Sequence, residues 1–144
     1  MGKSEDASCA ISLDQADNTR AIILLSLTAT IWIGMLLLES TRPAADVLGL
    51  FPQIDKIAHF GAFSILGLLV CRLSLAIWPR PGIALFSLPL LVVTLCGIIE
   101  EGIQMFVPGR MASIPDLLAD VCGALFAILL TNLLQMHGKG RLAA

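Results

Sequence analysis

The stretch AIILLSLTATIWIGMLLL, residues 21–38, carries no charged side chain across eighteen consecutive positions. A helix rises 1.5 Å per residue, so roughly 20 apolar residues cross about 30 Å of hydrocarbon. The stretch shows none of the apolar–polar alternation that a membrane β-strand needs. Backbone N–H and C=O groups cannot be left unpaired in lipid, and a helix satisfies them within the segment. The stretch therefore reads as a transmembrane helix. Three further stretches, 57–77, 83–106 and 114–134, repeat the same pattern. The expected fold is all-α: an integral membrane bundle of four transmembrane helices joined by short loops.

Composition agrees. Of 144 residues, 57% are hydrophobic and only 14% are charged, against about a quarter charged in an ordinary soluble domain. The length suits one domain. A soluble domain of this size could not hide so much apolar surface, whereas a bilayer accepts it on the outward face of each helix. The formal net charge of −2 and the lack of a dense basic patch exclude nucleic acid as an expected partner. Cys9, Cys71, Cys96 and Cys122 form no C-x-x-C pair and no metal-ligand spacing. Three of them fall in or beside apolar segments, where cysteine acts as a small hydrophobe.

The segments are separated by turn residues. Thr41-Arg-Pro43 follows the first segment, Trp78-Pro-Arg-Pro-Gly82 separates the second and third, and Pro108-Gly-Arg110 separates the third and fourth. The tryptophan of the middle turn suits a membrane interface. Pro89 lies inside the third segment, where it kinks the helix or marks a late start. Ala119, Gly123 and Ala127 recur every four positions on the fourth segment, a spacing that lets membrane helices approach closely. Residues 1–20 are mixed polar and read as a short disordered tail, with no cleavable signal peptide of the usual kind expected. The expected organisation is an N-terminal tail (1–20), a four-helix domain (21–134) and a C-terminal tail (135–144). Four spans put both termini on one side. That side holds Lys3, Arg20, Arg72, Arg80, Lys139 and Arg141, and the other only Arg42, Lys56 and Arg110. The positive-inside rule places both termini in the cytoplasm.

The opposite side gathers most of the polar chemistry: Glu39, Arg42, Asp46, Asp55, Lys56, His59, Glu100, Glu101, Gln104, Arg110, Ser113, Asp116 and Asp120. Ionisable groups in a spanning helix cost about 2.5–3.5 kcal/mol each on insertion scales, so they face the bundle interior, find a partner and mark candidate sites. Asp55 and His59 are four apart and share a helix face; a carboxylate there would hold the imidazole. Glu100 and Gln104 share a face near the end of the third segment, and Asp116 and Asp120 at the start of the fourth. Ser113 suits a helix cap with Asp116 as a capping-box partner, and Pro115 suits a first turn.

Plainer accounts compete with each of these. Helix capping also explains Asp55 and Asp116, and interfacial snorkelling explains Lys56 and Arg42. His59 alone also fits a buried, hydrogen-bonded histidine. Glu100, Gln104 and Arg110 together also fit a structural ion pair between the third and fourth helices. Glu100 and Glu101 are adjacent, so one is expected to face the bundle, and the shared face with Gln104 favours Glu100. One histidine with no second His or Cys on that side argues against a metal centre, and no metal or cofactor is expected.

At these residues the chain resembles the VanZ-like family of bacterial membrane proteins. The likeness covers residues 55–130. It rests on Asp55-Lys56-Ile-Ala-His59-Phe60, on Glu100-x-x-x-Gln104-x-Phe106-x-Pro108-Gly109-Arg110, and on Ser113-x-x-Asp116-x-x-x-Asp120-x-x-Gly123. The family pattern carries Asn where this chain has Asp120, which makes the site more negative here. The resemblance implies a helical bundle in the bacterial cytoplasmic membrane, in a family named for an association with resistance to the glycopeptide teicoplanin. It implies no particular reaction, and no long tail or extra domain of the kind larger relatives carry is expected.

The candidate polar site is thus Asp55, Lys56, His59, Glu100, Gln104, Arg110, Ser113, Asp116 and Asp120. The leading expectation is an outward-facing site for an anionic lipid or cell-envelope intermediate, with Arg110 and Lys56 meeting the anion. His59 and Glu100 would move protons if there is chemistry. The sequence shows no activated Ser or Cys nucleophile and no hydrolase motif. The alternative is an accessory or scaffold subunit of a larger membrane complex. A transporter or channel is the least supported, since no broken-helix repeat is present.

Overall fold

The computed structural model describes residues 2–43, 52–78 and 84–141, with side chains over 13–43, 53–78 and 86–137. Asp46, residues 79–83 of the middle turn, and the side chains of Lys3, Cys9, Arg80, Lys139 and Arg141 lie outside these. Among the described residues the chain forms four helices: α1 (Gly2–Ser40), α2 (Pro52–Ile77), α3 (Ala84–Gln104) and α4 (Ile114–Arg141). Each contains a segment long and apolar enough to cross a membrane, namely Leu13–Ser40, Gln53–Ile77, Phe86–Gln104 and Ile114–His137.

Two boundaries differ from the sequence expectation. The helix that the sequence starts at residue 21 begins instead at Gly2, so α1 runs through residues 2–20 of the expected tail. No proline and no further glycine interrupts residues 3–20, so nothing stops the membrane helix from continuing into them. Likewise α4 runs past residue 134 to Arg141. Pro89 does not delay α3; it sits buried within it. In the second turn a proline forgoes only one early backbone bond.

The helices alternate in direction. Residues near the start of α1 meet the end of α2 (Asn18 donates to Ala76 O at 3.3 Å), and residues near its end meet the start of α2 (Trp32 Nε1 donates to Ala62 O at 3.0 Å). The most extensive packing joins α2 to α4, and α2 touches all three other helices. A bilayer supplies no hydrophobic drive between helices, so van der Waals fit and hydrogen bonds must hold them. Small residues supply that fit. A Cβ on Gly123 would lie 2.7 Å from Phe60 O and 2.8 Å from Ser64 N, and one on Gly67 would lie 2.8 Å from Ala127 Cβ. The Gly123–Ala127 part of the expected small-residue stripe is therefore the seam on which α2 lies. Phe63, Leu66, Val70, Val93 and Ala124 form the core, and Trp32, Ile33 and Leu36 of α1 pack against it. Most of the remaining surface of α1 is exposed.

Candidate functional site

The buried polar groups collect at the end of the bundle where α1 and α3 finish and α2 and α4 begin. Ser40, His59, Glu100, Glu101, Gln104, Asp116 and Asp120 are all buried there.

Parallel packing of α2 on α4 sets the first contacts. Their N-terminal turns lie side by side, so each residue of α2 finds a partner about sixty positions later on α4. Lys56 Nζ donates to Asp116 Oδ1 at 3.1 Å. One turn deeper, His59 Nδ1 lies 3.0 Å from Asp120 Oδ1. A carboxylate only accepts, so Nδ1 carries the proton and donates it. Phe63, four residues on, stacks nearly parallel to the imidazole, with an interplanar angle of 4°. His59 is thus held from two sides, with Nε2 left for other contacts. Asp55 shares the face as expected, but it is not the carboxylate that bonds His59 Nδ1. Asp120 takes that role from the neighbouring helix, a pairing that spacing within one helix cannot reveal.

Asp120 fits because α3 offers no side chain opposite it. A Cβ on Gly97 would come within 2.7 Å of Asp120 Oδ2. That Oδ2 is fully buried and has no hydrogen-bond partner among the described residues.

Glu100 and Glu101 are both buried, so the adjacent acids do not divide into one inward and one outward residue. They diverge around α3 to two sides. Glu100 turns toward His59, with Ser40 of α1 against its carboxylate and Oε2 unpartnered. Glu101 turns toward α4 and accepts a hydrogen bond from the Ser113 backbone N–H. Ser113 in turn caps α4, its hydroxyl accepting from Asp116 N at 3.3 Å. The cap is as expected, but the return contact of a capping box comes from Glu101 rather than Asp116. Asp116 spends its side chain on Lys56 instead.

The link between α3 and α4 places Arg110. Arg110 N donates to Val107 O at 3.1 Å across Pro108 and Gly109, and Gly109 has φ 81°. Proline followed by a positive-φ glycine is the pattern of a type II turn. The ion pair of Glu100, Gln104 and Arg110, the plainer account of these residues, does not form among the described residues. Among the described residues Arg110 makes no ion pair, and its Nε is buried without a partner. Gln104 is buried with Nε2 unpartnered and lines no part of the cavity described next.

That cavity, about 170 Å³, lies between α1, α2, α3 and the α3–α4 link. Its polar lining is Glu39, Asp55, His59, Glu100 and Arg110, over a floor that includes Leu36, Ala62 and Phe63. It is roomy enough for more than a single water. Beside it, one ligating atom from each of Asp55, His59 and Asp116 lies within 4.8 Å of the others. Sequence reasoning did not assign Ser40 or Glu101 to the site. Ser40 carries no signal in its own context, whereas Glu101 was visible as an acid within an apolar run.

The family model described as VanZ/LLP1 matches residues 7–135. No curated protein and no solved structure matches the chain.

Proposed function

The chain belongs to the VanZ/LLP1 family, and from that premise we propose that this multi-pass membrane protein binds the anionic group of a lipid or cell-envelope intermediate. The single observation that carries the reading is Arg110. Arg110 lines the cavity, and among the described residues its buried Nε has no partner and no carboxylate pairs with its guanidinium. An arginine fork is built for phosphate or carboxylate. The apolar floor of Leu36, Ala62 and Phe63 gives an acyl chain or prenyl stem a surface next to that fork. His59 and Glu100 line the same cavity within the membrane, where ionisable groups are costly unless they serve a purpose. Lys56 is committed to Asp116 and takes no part in holding the anion. The lysine and arginine distribution supports a site that opens away from the cytoplasm of the bacterial inner membrane, with both termini inside.

The test uses the full chain in nanodiscs. Binding of a fluorescent phosphatidylglycerol is measured against phosphatidylcholine, and Arg110→Ala is expected to weaken the anionic lipid at least about tenfold, since charge-assisted hydrogen bonds contribute about 1.5–3 kcal/mol. Equal binding by the variant, with helical content unchanged, overturns the reading. In cells, Arg110→Ala, His59→Ala and Glu100→Ala should each alter glycopeptide or envelope-stress tolerance.

A second reading, an accessory subunit of a larger complex, is favoured by α1, whose spanning segment is far less covered by its neighbours than those of the other three helices. Its Leu24, Leu27, Ile31, Met35 and Leu38 are exposed. Purification in mild detergent distinguishes the two: a stoichiometric larger partner supports the subunit reading, and a lone chain or homo-oligomer counts against it.

A further inference from the structure

We infer that Asp55, His59 and Asp116 form a binding site for a divalent transition-metal cation beside the cavity. The site stands on its own geometry, and its link to the anion rests on the headgroup reading of Arg110.

Four observations converge on it. The first is distance: one ligand atom from each residue lies within 4.8 Å of the others, so a single ion between them can reach all three at ordinary coordination distances of about 2.0–2.2 Å with small side-chain adjustments.

The second is the state of the imidazole. Metal-bound histidines almost always donate their other ring N–H to a carboxylate or carbonyl, which fixes the tautomer and the ring orientation. His59 does this with Asp120 at 3.0 Å, and the stacked Phe63 fixes the ring plane. Nε2 is left as a lone-pair donor.

The third is charge. Glu39, Asp55, Glu100, Asp116 and Asp120 outnumber Lys56, Arg110 and Arg42, which pairs with Glu39, around the cavity. Glu100 is only 6% exposed, its Oε2 has no partner, and it lines the cavity with Asp55 and His59. A buried carboxylate oxygen without a partner is unfavourable, and an anionic headgroup added beside these acids would be repelled. A dication offsets both effects. Lys56, which sits on Asp116 Oδ1 with its side chain 43% exposed, shows that this spot attracts positive charge.

The fourth is donor chemistry. One imidazole with carboxylates suits Zn²⁺ or Mn²⁺. Mg²⁺ favours oxygen ligands and retained waters, and sites for Cu(I) or iron–sulfur clusters need thiolates. The sequence argued against a metal because it shows one histidine and no nearby cysteine. What it does not show is that Asp55 and Asp116, sixty-one positions apart, meet at that histidine.

The test uses the full chain purified in detergent, stripped with EDTA and titrated with Mn²⁺, with the free aquo-ion followed by electron paramagnetic resonance. Zn²⁺ content is measured in parallel by elemental analysis. One ion per chain is expected. Asp55→Asn and His59→Ala should lower the affinity by more than about 10-fold, and the positioning variant Asp120→Asn by about 10- to 100-fold. Asp55 is only partly buried at the start of α2, so its asparagine variant should fold, and circular dichroism checks this. If neither Mn²⁺ nor Zn²⁺ binds, or if both ligand variants bind like the unmodified chain, the site does not exist. Anionic-lipid binding that is indifferent to EDTA, in a chain that holds no metal, would sink the metal site and leave the headgroup reading intact. One ion per chain without any lipid selectivity would support the metal site and sink the headgroup reading.

Discussion

Exchanging Asp120 for alanine or for asparagine separates the contact that holds α2 to α4 from the charge that it carries. Asp120 is fully buried, and its Oδ1 accepts from His59 Nδ1 at 3.0 Å. Asp120→Ala leaves a buried imidazole N–H with no acceptor, a loss of about 1–3 kcal/mol. Asp120→Asn keeps an oxygen at the same place. It also replaces the unpartnered, buried Oδ2 with a neutral amide group, so a buried charge disappears while the bond to His59 survives. The asparagine variant should therefore unfold within about 1 kcal/mol of the unmodified chain. The assay is reversible unfolding in mixed SDS micelles. Trp32, whose Nε1 bonds to Ala62 three residues from His59, supplies a fluorescence signal close to the contact. A stable alanine variant would refute the claim that this pair joins the helices. An asparagine variant as unstable as the alanine variant would show that the ionic attraction, and not the hydrogen bond, does the holding. In that case the loss should approach the roughly 3–5 kcal/mol seen when a buried ion pair is broken.

Glycine substitutions should change sign with position. Gly123→Ala drives a methyl into Phe60 O and Ser64 N and should destabilise by about 1–3 kcal/mol, whereas Gly34→Ala meets nothing within 4 Å and should stabilise by about 0.5–1 kcal/mol; the same unfolding assay reads both. Ser113→Ala removes the cap of α4 and should cost about 1 kcal/mol, with faster amide exchange confined to the first turn of α4. Arg110→Ala, which breaks no ion pair among the described residues, should leave the unfolding midpoint nearly unchanged while lipid binding falls, so a large loss of stability would assign Arg110 a structural role.

Much of the site was visible before the fold, because ionisable residues stand out against an apolar background. His59, Glu100, Asp116 and Asp120 are all buried as the cost of charge in a membrane demands. Their partners were harder to read. Spacing within a helix paired Asp55 with His59, and Glu100 with Gln104. The bonds that form instead run between helices: His59 to Asp120, Lys56 to Asp116, and Ser113 N–H to Glu101. The difference has a simple origin. Residues four apart share a face whether or not they touch, and in a bundle the stronger partner is often the one that the neighbouring helix presents.

By itself, then, the sequence determined that four apolar segments are helices, since length, hydropathy and the need to pair backbone groups in lipid leave no other choice. It also determined that their polar residues concentrate at one end of the bundle. Only the tertiary structure decided which carboxylate holds His59, that both Glu100 and Glu101 are buried, and that Arg110 lines a cavity without pairing with Glu100. The physical reason lies in the register of α2 against α4. That register is set by Gly67, Gly123 and Ala127, positions where the absence or smallness of a side chain lets two backbones close. Shifting it by one turn would pair Lys56 and His59 with different partners while leaving each helix, taken alone, unchanged.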